Sequence, residues 1–110
     1  MSQTRLTQLL AFHESSPKDS FILFALGKEY ENIGDDEKAL RHYRQICEHE
    51  PNYVGVYYHL GKLYEKLGEP AQAFSTYKLG MEIARQENDQ HAWNELAEAK
   101  LHLGDDDDFS

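Results

Sequence analysis

The sequence predicts an all-α protein of about six antiparallel helices, built around a repeated helix pair. Two observations carry this prediction. Residues 20–53 align with residues 54–87 without a gap and share nine identities, whereas unrelated segments of this composition would share about two. Both segments also space their apolar residues with the period of a helix. A fixed period of this length is typical of stacked arrays, in which each unit buries its apolar face against a neighbour.

The shared residues lie where two packed helices need them. Leucine, glycine and tyrosine form one stripe of the first helix, and alanine and tyrosine form a stripe of the second. Glycine inside a helix costs about 1 kcal/mol against alanine, so its recurrence indicates a close helix crossing. We expect Gly27 to face Ala39 and Gly61 to face Ala73. The identical pairs are Leu26/Leu60, Gly27/Gly61, Lys28/Lys62, Tyr30/Tyr64, Glu31/Glu65, Gly34/Gly68, Ala39/Ala73, Tyr43/Tyr77 and Glu48/Glu82.

Each helix has its own start and stop signals. The predicted helices span residues 3–15, 20–33, 36–49, 53–67, 70–87 and 90–103. Asp19 or Ser20 caps the second helix, and Asp35 caps the third. Gly34 and Gly68 end helices in the left-handed conformation. Proline at position 70 suits the first turn of the fifth helix.

The repeated motif resembles a known family. Leu23, Leu26, Gly27 and Tyr30 form a Leu-x2-Leu-Gly-x2-Tyr pattern, and an Ala-x3-Tyr pattern, then Pro51, follows. This pattern resembles the tetratricopeptide repeat (TPR), a helix–turn–helix unit of 34 residues. The match covers residues 20–87, and a weaker echo shifted by two residues begins at Trp93. The resemblance implies a right-handed superhelix of antiparallel helix pairs, whose first helices line a concave face that holds a peptide or a partner helix.

That resemblance selects the stripe of each first helix that the core does not use. We call its candidate members the groove residues; they are Phe24, Lys28, Asn32, Tyr58, Lys62, Lys66 and Asn94. On the last helix, Glu98 and His102 share the stripe with Asn94. The alternative is that Phe24 and Tyr58 pack on neighbouring helices and that the lysines are ordinary solvated charges. Some TPR domains hold a terminal carboxylate with such lysines and asparagines, but no arginine completes that set here and Glu98 would repel an anion.

The net charge of the chain narrows the class of binding partner. The chain carries 11 basic and 20 acidic residues, a net charge of −9. Nucleic acids and anionic membranes attract basic surfaces, so we expect a protein partner, no nucleic acid and no membrane.

The first ten residues lack the basic start and apolar run of a signal peptide. One cysteine excludes an internal disulfide, and a cytoplasmic location is the default.

The sequence predicts no enzyme, cofactor or metal site. Cys47 and His49 are two residues apart on a helix, so their side chains point in different directions. A second metal-binding pair is absent, as are a glycine-rich phosphate loop and a nucleophile motif. A hydrolase or metal enzyme is therefore the weakest of the function classes.

Two further expectations concern the ends of the sequence. Self-assembly is the alternative to partner binding, because Leu6, Leu9 and Phe12 on the first helix could pair with a second copy in a weak homodimer. Residues 105–110 carry four aspartates and predict a disordered tail beyond a repeat domain of residues 1–104. Six extended residues span about 20 Å. Such a tail can reach Lys66 and Lys62, with Phe109 near Tyr58 at the limit of its reach; the alternative, which the sequence favours, is a solvated tail that only aids solubility.

Overall fold

The computed structural model of the chain describes residues 2–109, with side chains described from Thr4 onward. Its helices are α1 (Ser2–Ser15), α2 (Ser20–Asn32), α3 (Asp36–His49), α4 (Gly55–Lys66), α5 (Pro70–Gln86) and α6 (Gln90–Leu103), followed by a 3-10 helix (Asp106–Phe109). Residues 2–109 contain no β-strand. The prediction of an all-α fold with six main helices is confirmed, and the helix boundaries differ from the predicted ones by at most two residues.

Aspartates begin three of the helices. The side chains of Asp19, Asp35 and Asp89 accept hydrogen bonds from the backbone amides three residues later, at 3.2, 3.2 and 3.0 Å. Each bond satisfies an amide that has no partner within the helix. The cap of α2 is therefore Asp19 rather than Ser20, whose hydroxyl instead donates to Glu50 at 2.7 Å.

Residues in the left-handed backbone conformation follow three of the helices. Gly34 follows α2 with a φ of 86°, and Gly68 follows α4 with a φ of 76°. Asn88 takes the same place after α5 with a φ of 57°. Glycine and asparagine tolerate this conformation best, so the turn sequences explain where the helices stop.

The chain divides into two compact units between Tyr53 and Val54, which is also the boundary between the two predicted repeats. In the first unit, α2 packs against both α1 and α3. In the second, α5 packs against α4 and α6, and α4 also touches α6. The buried apolar residues of the first unit are Leu9, Leu23, Leu26, Tyr30, Ala39, Tyr43 and Ile46. Those of the second are Val56, Tyr57, Leu60, Leu63, Ala73, Phe74, Tyr77, Ala84, Leu96 and Ala99.

The helix crossings are close, but glycine meets a tyrosine ring there rather than an alanine. A Cβ added to Gly27 would lie 2.7 Å from Cδ1 of Tyr43, and one added to Gly61 would lie 2.6 Å from Cδ1 of Tyr77. The expectation that the glycines face Ala39 and Ala73 is therefore corrected. The missing Cβ makes room for a buried ring, which fills the crossing better than a second small residue would.

The end of the described chain differs from the predicted disordered tail. After Gly104, residues 106–109 form one turn of 3-10 helix. Phe109 stacks on Phe74 of α5, with ring centroids 4.4 Å apart. The predicted direction toward Lys62, Lys66 and Tyr58 is thus wrong. An aromatic ring beside the start of α5 stabilises the segment there, and the charge pattern alone could not indicate that contact.

Candidate protein-interaction surface

An aromatic ring and a lysine one helical turn later recur at the same place in the two repeats. In α2, Nζ of Lys28 lies 5.8 Å from the centroid of the Phe24 ring. In α4, Nζ of Lys62 lies 5.6 Å from the centroid of the Tyr58 ring. Residues four apart share a helix face, so each ammonium group lies against the ring that precedes it. Two pairs of predicted groove residues are therefore brought together.

Each of these rings rests against a buried tyrosine of the following helix. The centroids of Phe24 and Tyr43 are 5.9 Å apart, and those of Tyr58 and Tyr77 are 6.5 Å apart. Tyr43 and Tyr77 are 0% exposed, whereas Phe24 and Tyr58 are half-buried. The alternative considered from the sequence, packing on a neighbouring helix, thus holds for part of each ring, and the core of each unit positions the remainder.

The buried tyrosines are bonded in turn to glutamates of the first helices. The Tyr43 hydroxyl donates to Oε2 of Glu31 at 2.6 Å, and the Tyr77 hydroxyl donates to Glu65. Burial, then the hydrogen bond and charge of the carboxylate, raises the pKa of both hydroxyls well above the ordinary 10.0. Both tyrosines stay protonated at neutral pH and act as donors.

The first unit brings together Phe24 and Lys28 and places Asn32 one turn further along. Phe24 also contacts Tyr53, with ring centroids 6.0 Å apart. Lys28 and Asn32 are exposed, and Asn32 is the last residue of α2. Phe21, one turn before Phe24, is 71% exposed. This helix therefore presents an aromatic start and a polar end.

In the second unit, Tyr58 and Lys62 line a cleft of about 170 Å³. The α6 side of this cleft consists of Glu95, Glu98, Ala99 and His102. Glu98 and His102 belong to the stripe predicted for α6, whereas Glu95 does not. The residues of α6 are spaced by three and four positions, as expected for one face of a helix.

Lys66 and Asn94 lie outside the set that lines this cleft. Lys66 is exposed in the last turn of α4. Asn94 is exposed, and its Oδ1 accepts a hydrogen bond from Nε2 of Gln90 at 2.9 Å. The predicted stripe on α6 is rotated by about one residue from the one that faces α4, because the repeat pattern is shifted where α6 begins.

The charges in the cleft are mixed. Nζ of Lys62 lies 3.9 Å from Oε2 of Glu65, and Glu95 and Glu98 face it from α6. Nε2 of His91 lies 3.8 Å from Oε2 of Glu95. A lone carboxylate gains little from one lysine beside three glutamates, because like charges oppose its entry. The arrangement suits a segment with an apolar side chain for Tyr58 and polar or basic groups for the glutamates.

A hollow around Trp93 was not predicted from the sequence. It has a volume of about 410 Å³ and lies at the turn between α5 and α6. Its lining residues are Ala84, Arg85, Asn88, Asp89, Gln90 and Trp93. Two residues of this turn, Asn88 and Asp89, are of types common in turns, and Asn88 takes the left-handed conformation with a φ of 57°. Another hollow, of about 490 Å³, runs along α3 from Glu37 to Glu48; no groove residue lines either hollow.

Within residues 2–109, no three histidine, cysteine, aspartate or glutamate side chains are grouped so that they could hold a metal ion. None of the helices described there has the length and apolar character to cross a membrane.

Comparison with known families matches the repeats directly. Residues 27–68 match a family described as TPR repeat, and residues 54–87 match one described as tetratricopeptide repeat. The second match coincides with the second repeat inferred from self-similarity.

Solved structures extend the likeness to most of the chain. A tetratricopeptide repeat domain protein from Salinibacter ruber is 42% identical, with 81% of this chain and 90% of that chain covered and a TM-score of 0.78. PcrH, in complex with the chaperone binding region of PopD, has a TM-score of 0.84 over 93% of this chain and 77% of its own. PcrH is only 16% identical, so that likeness concerns the fold.

A curated relative shares one part of the sequence. The photosystem I assembly protein Ycf3 of Acaryochloris marina is 42% identical over 52 residues, which are 47% of this chain. The match spans 31% of that protein.

Proposed function

Since this chain belongs to the tetratricopeptide repeat family, we propose that it is a non-catalytic protein-interaction module that binds a peptide or partner helix along the groove residues. The observation that carries the proposal is the recurrence, at equivalent positions, of a lysine over an aromatic ring that rests on a buried tyrosine. Side chains held by a core lose little conformational freedom on binding, which favours their use as anchors.

In each unit, apolar side chains of the proposed ligand contact the aromatic groove residue, Phe24 or Tyr58, and the lysine four positions later flanks that contact. Aromatic side chains, phenylalanine and tyrosine included, are enriched in protein interfaces, and tyrosine is enriched among the residues that supply most of the binding energy. The mixed charges around Lys62 favour a ligand that carries both polar and basic groups. The net charge of −9 further favours a protein ligand over a nucleic acid. PcrH, which shares the fold, is seen with a segment of PopD, and this supports a peptide as the first ligand class to test.

Self-association is the second candidate, and the side chains that favour it lie on α1 and α2. Phe12 is 60% exposed, Leu10 is 40% exposed and Phe21 is 71% exposed. Exposed apolar side chains of this size are suited to burial against a second copy. Leu9 does not take part in the way expected from the sequence, because it is 8% exposed and belongs to the core of the first unit.

A peptide selection with matched variants tests the proposal. Short peptides are selected against the full chain, and the affinity of the best ligand is measured for wild type, Phe24→Ala, Tyr58→Ala and Phe12→Ala. We expect the two groove variants to bind at least about tenfold more weakly, the size of a typical aromatic anchor. Phe12→Ala removes an aromatic ring outside the groove residues and should bind like wild type.

Light scattering on the same variants separates the two candidates. A dimer that Phe12→Ala abolishes, together with ligand binding that neither Phe24→Ala nor Tyr58→Ala weakens, would establish self-association in place of groove binding.

A further inference from the structure

The acidic segment, residues 105–109, is seated on a defined place on α5 and α6. The ring of Phe109 stacks on that of Phe74 at 4.4 Å with an interplanar angle of 20°. Nζ of Lys100 lies 4.8 Å from the centroid of the same Phe74 ring. Nζ of Lys78 lies 3.5 Å from Oδ1 of Asp106. Phe74, Lys78 and Lys100 are called the Phe74 seat below.

Hydrogen bonds within the acidic segment define its backbone conformation. Oδ1 of Asp105 accepts from the amides of Asp107 and Asp108, at 3.0 and 3.3 Å. In return, Oδ2 of Asp108 accepts from the amide of Asp105 at 2.8 Å. These reciprocal hydrogen bonds between Asp105 and Asp108 resemble those of a capping box and satisfy the amides of a short turn. Its four aspartates are thus arranged by backbone contacts and are not a structureless run.

Gly104 connects the segment to α6 in a conformation that few other residues adopt. Its φ is 146°, and a Cβ there would lie 3.1 Å from Cγ of Asp108. A side chain at this position would strain the backbone and displace Asp108. The connection therefore directs the segment back over α5.

The chemistry of the seat matches that of its occupant. Phe74 supplies an aromatic face, and Lys78 and Lys100 supply two ammonium groups in a chain with an excess of acids. The segment offers one aromatic ring and four carboxylates. A stacked ring fixes the position, and the carboxylates are attracted by the lysines, so the pair combines shape with charge complementarity.

We propose that the Phe74 seat is a second interaction site, which accepts an aspartate-rich, aromatic-bearing segment of another protein, and that the chain's own acidic segment competes for it. The seat is built from α5 and α6 residues that are not groove residues, so this site does not depend on the proposed groove. The tethered segment lowers the apparent affinity for an outside ligand. Displacing the segment therefore raises the affinity.

The test uses the full chain with Phe109→Ala, which leaves the seat intact but removes its aromatic occupant. A synthetic peptide of residues 103–110 serves as the probe, and NMR shifts of the backbone amides report where it binds. A short tether gives an effective concentration on the order of 1 mM, so a peptide with a Kd near 0.1 mM should bind the variant about tenfold more tightly than wild type. The shifts should centre on Phe74, Lys78 and Lys100.

Three controls test which groups of the peptide and of the chain determine binding at the Phe74 seat. The same peptide with alanine in place of its phenylalanine should lose most of the binding. Phe109→Ala combined with Lys78→Gln and Lys100→Gln should bind the intact peptide more weakly and with less dependence on salt. Gly104→Ala, which keeps the Phe109 side chain but disturbs its connection, should also bind the peptide more tightly than wild type.

Two results would overturn the proposal. The first is a Phe109→Ala chain whose amides at Phe74, Lys78 and Lys100 do not respond to the peptide, or respond as in wild type. The second is a wild-type dimer that Phe109→Ala abolishes, because the occupant would then be a second copy of this chain and not another protein.

Discussion

The Tyr43 hydroxyl donates a 2.6 Å hydrogen bond to the Glu31 carboxylate, and thereby joins the core of the first repeat to the surface of α2. The second repeat makes the same bond between Tyr77 and Glu65. Each tyrosine ring also fills the space left by a helical glycine and supports the aromatic groove residue of its own unit. One residue per repeat thus links helix packing to the proposed binding surface.

Removing either hydroxyl should destabilise the chain. Tyr43→Phe and Tyr77→Phe each keep the ring but lose a hydrogen bond to a charged acceptor. Such bonds contribute about 1.5–3 kcal/mol when buried, and partial exposure of the glutamates reduces the expected loss to about 1–2 kcal/mol. Urea denaturation measures it. Tyr64→Phe removes a hydroxyl from a half-buried tyrosine outside this pair and serves as the control; equal losses in all three variants would contradict the assigned role.

The same bonds predict a loss of stability at alkaline pH. The folded-state pKa of Tyr43 and Tyr77 is raised above 10.0, first by burial and then by the neighbouring carboxylate. A raised pKa favours the protonated folded state, so its full contribution is present below pH 10 and is lost as the pH rises further. The free energy of unfolding should fall by about 1.4 kcal/mol per pH unit for each tyrosine above that point.

Urea midpoints measured from about pH 8 to about pH 11 test this linkage. The slope above pH 10 should be smaller in Tyr43→Phe, and smaller again in the double variant with Tyr77→Phe. Parallel slopes in all variants would show that other groups cause the alkaline loss.

Gly61→Ala should destabilise the chain, although alanine is normally the better helix former. The substitution gains about 1 kcal/mol in helix propensity but pushes a methyl group into the Tyr77 ring. That ring is buried and hydrogen-bonded, so the overpacking costs about 1–3 kcal/mol and exceeds the gain. At Gly55 an added Cβ meets nothing within 4 Å. Gly55→Ala should therefore be neutral or stabilising, and thermal denaturation should show a lowered midpoint for Gly61→Ala only.

The sequence predicts the repeated part of the fold well because the same packing problem is solved twice. Gly27 and Gly61 recur 34 residues apart since each must admit a tyrosine ring at a helix crossing. The groove residues of α2 and α4 follow from that register. The face that α6 turns toward α4 could not be predicted from that register. The helix begins after an altered turn, and its rotation about its own axis is set by packing against α5 and α4. Glu95 could not be placed in the cleft from period alone.

The structure of the acidic segment also differs from the one predicted from the sequence, for a different reason. Four aspartates indicate a solvated tail, but their order also permits the reciprocal bonds between Asp105 and Asp108. The deciding contact joins Phe109 to Phe74 across 35 positions of the sequence. A contact so distant has no local signature, whereas the left-handed residues Gly34 and Gly68 could be recognised from their neighbours alone.

Acidification should weaken the first unit through His42. Its ring stacks on Tyr30 at a centroid distance of 5.5 Å and meets the edge of His13 from α1 at 5.8 Å. Burial, with smaller effects from the charges of His13, Arg41 and Lys38, lowers the pKa of His42 below 6.5; a hydrogen bond to Gln45 opposes this change. A lowered pKa means that the folded state favours the neutral ring. The stability that this provides is present above pH 6.5 and is lost as the pH falls through the folded-state pKa.

An NMR titration of the His42 ring should therefore show a midpoint below 6.5, and Gln45→Ala should move it lower still, because the opposing hydrogen bond is removed. His42→Phe keeps the stack on Tyr30 but cannot take up a proton. Its free energy of unfolding should change less than that of wild type between about pH 7 and about pH 5. A His42 midpoint at or above 6.5, or an unchanged pH dependence in His42→Phe, would refute the view that the packing of α1 and α2 around this ring disfavours its charged form.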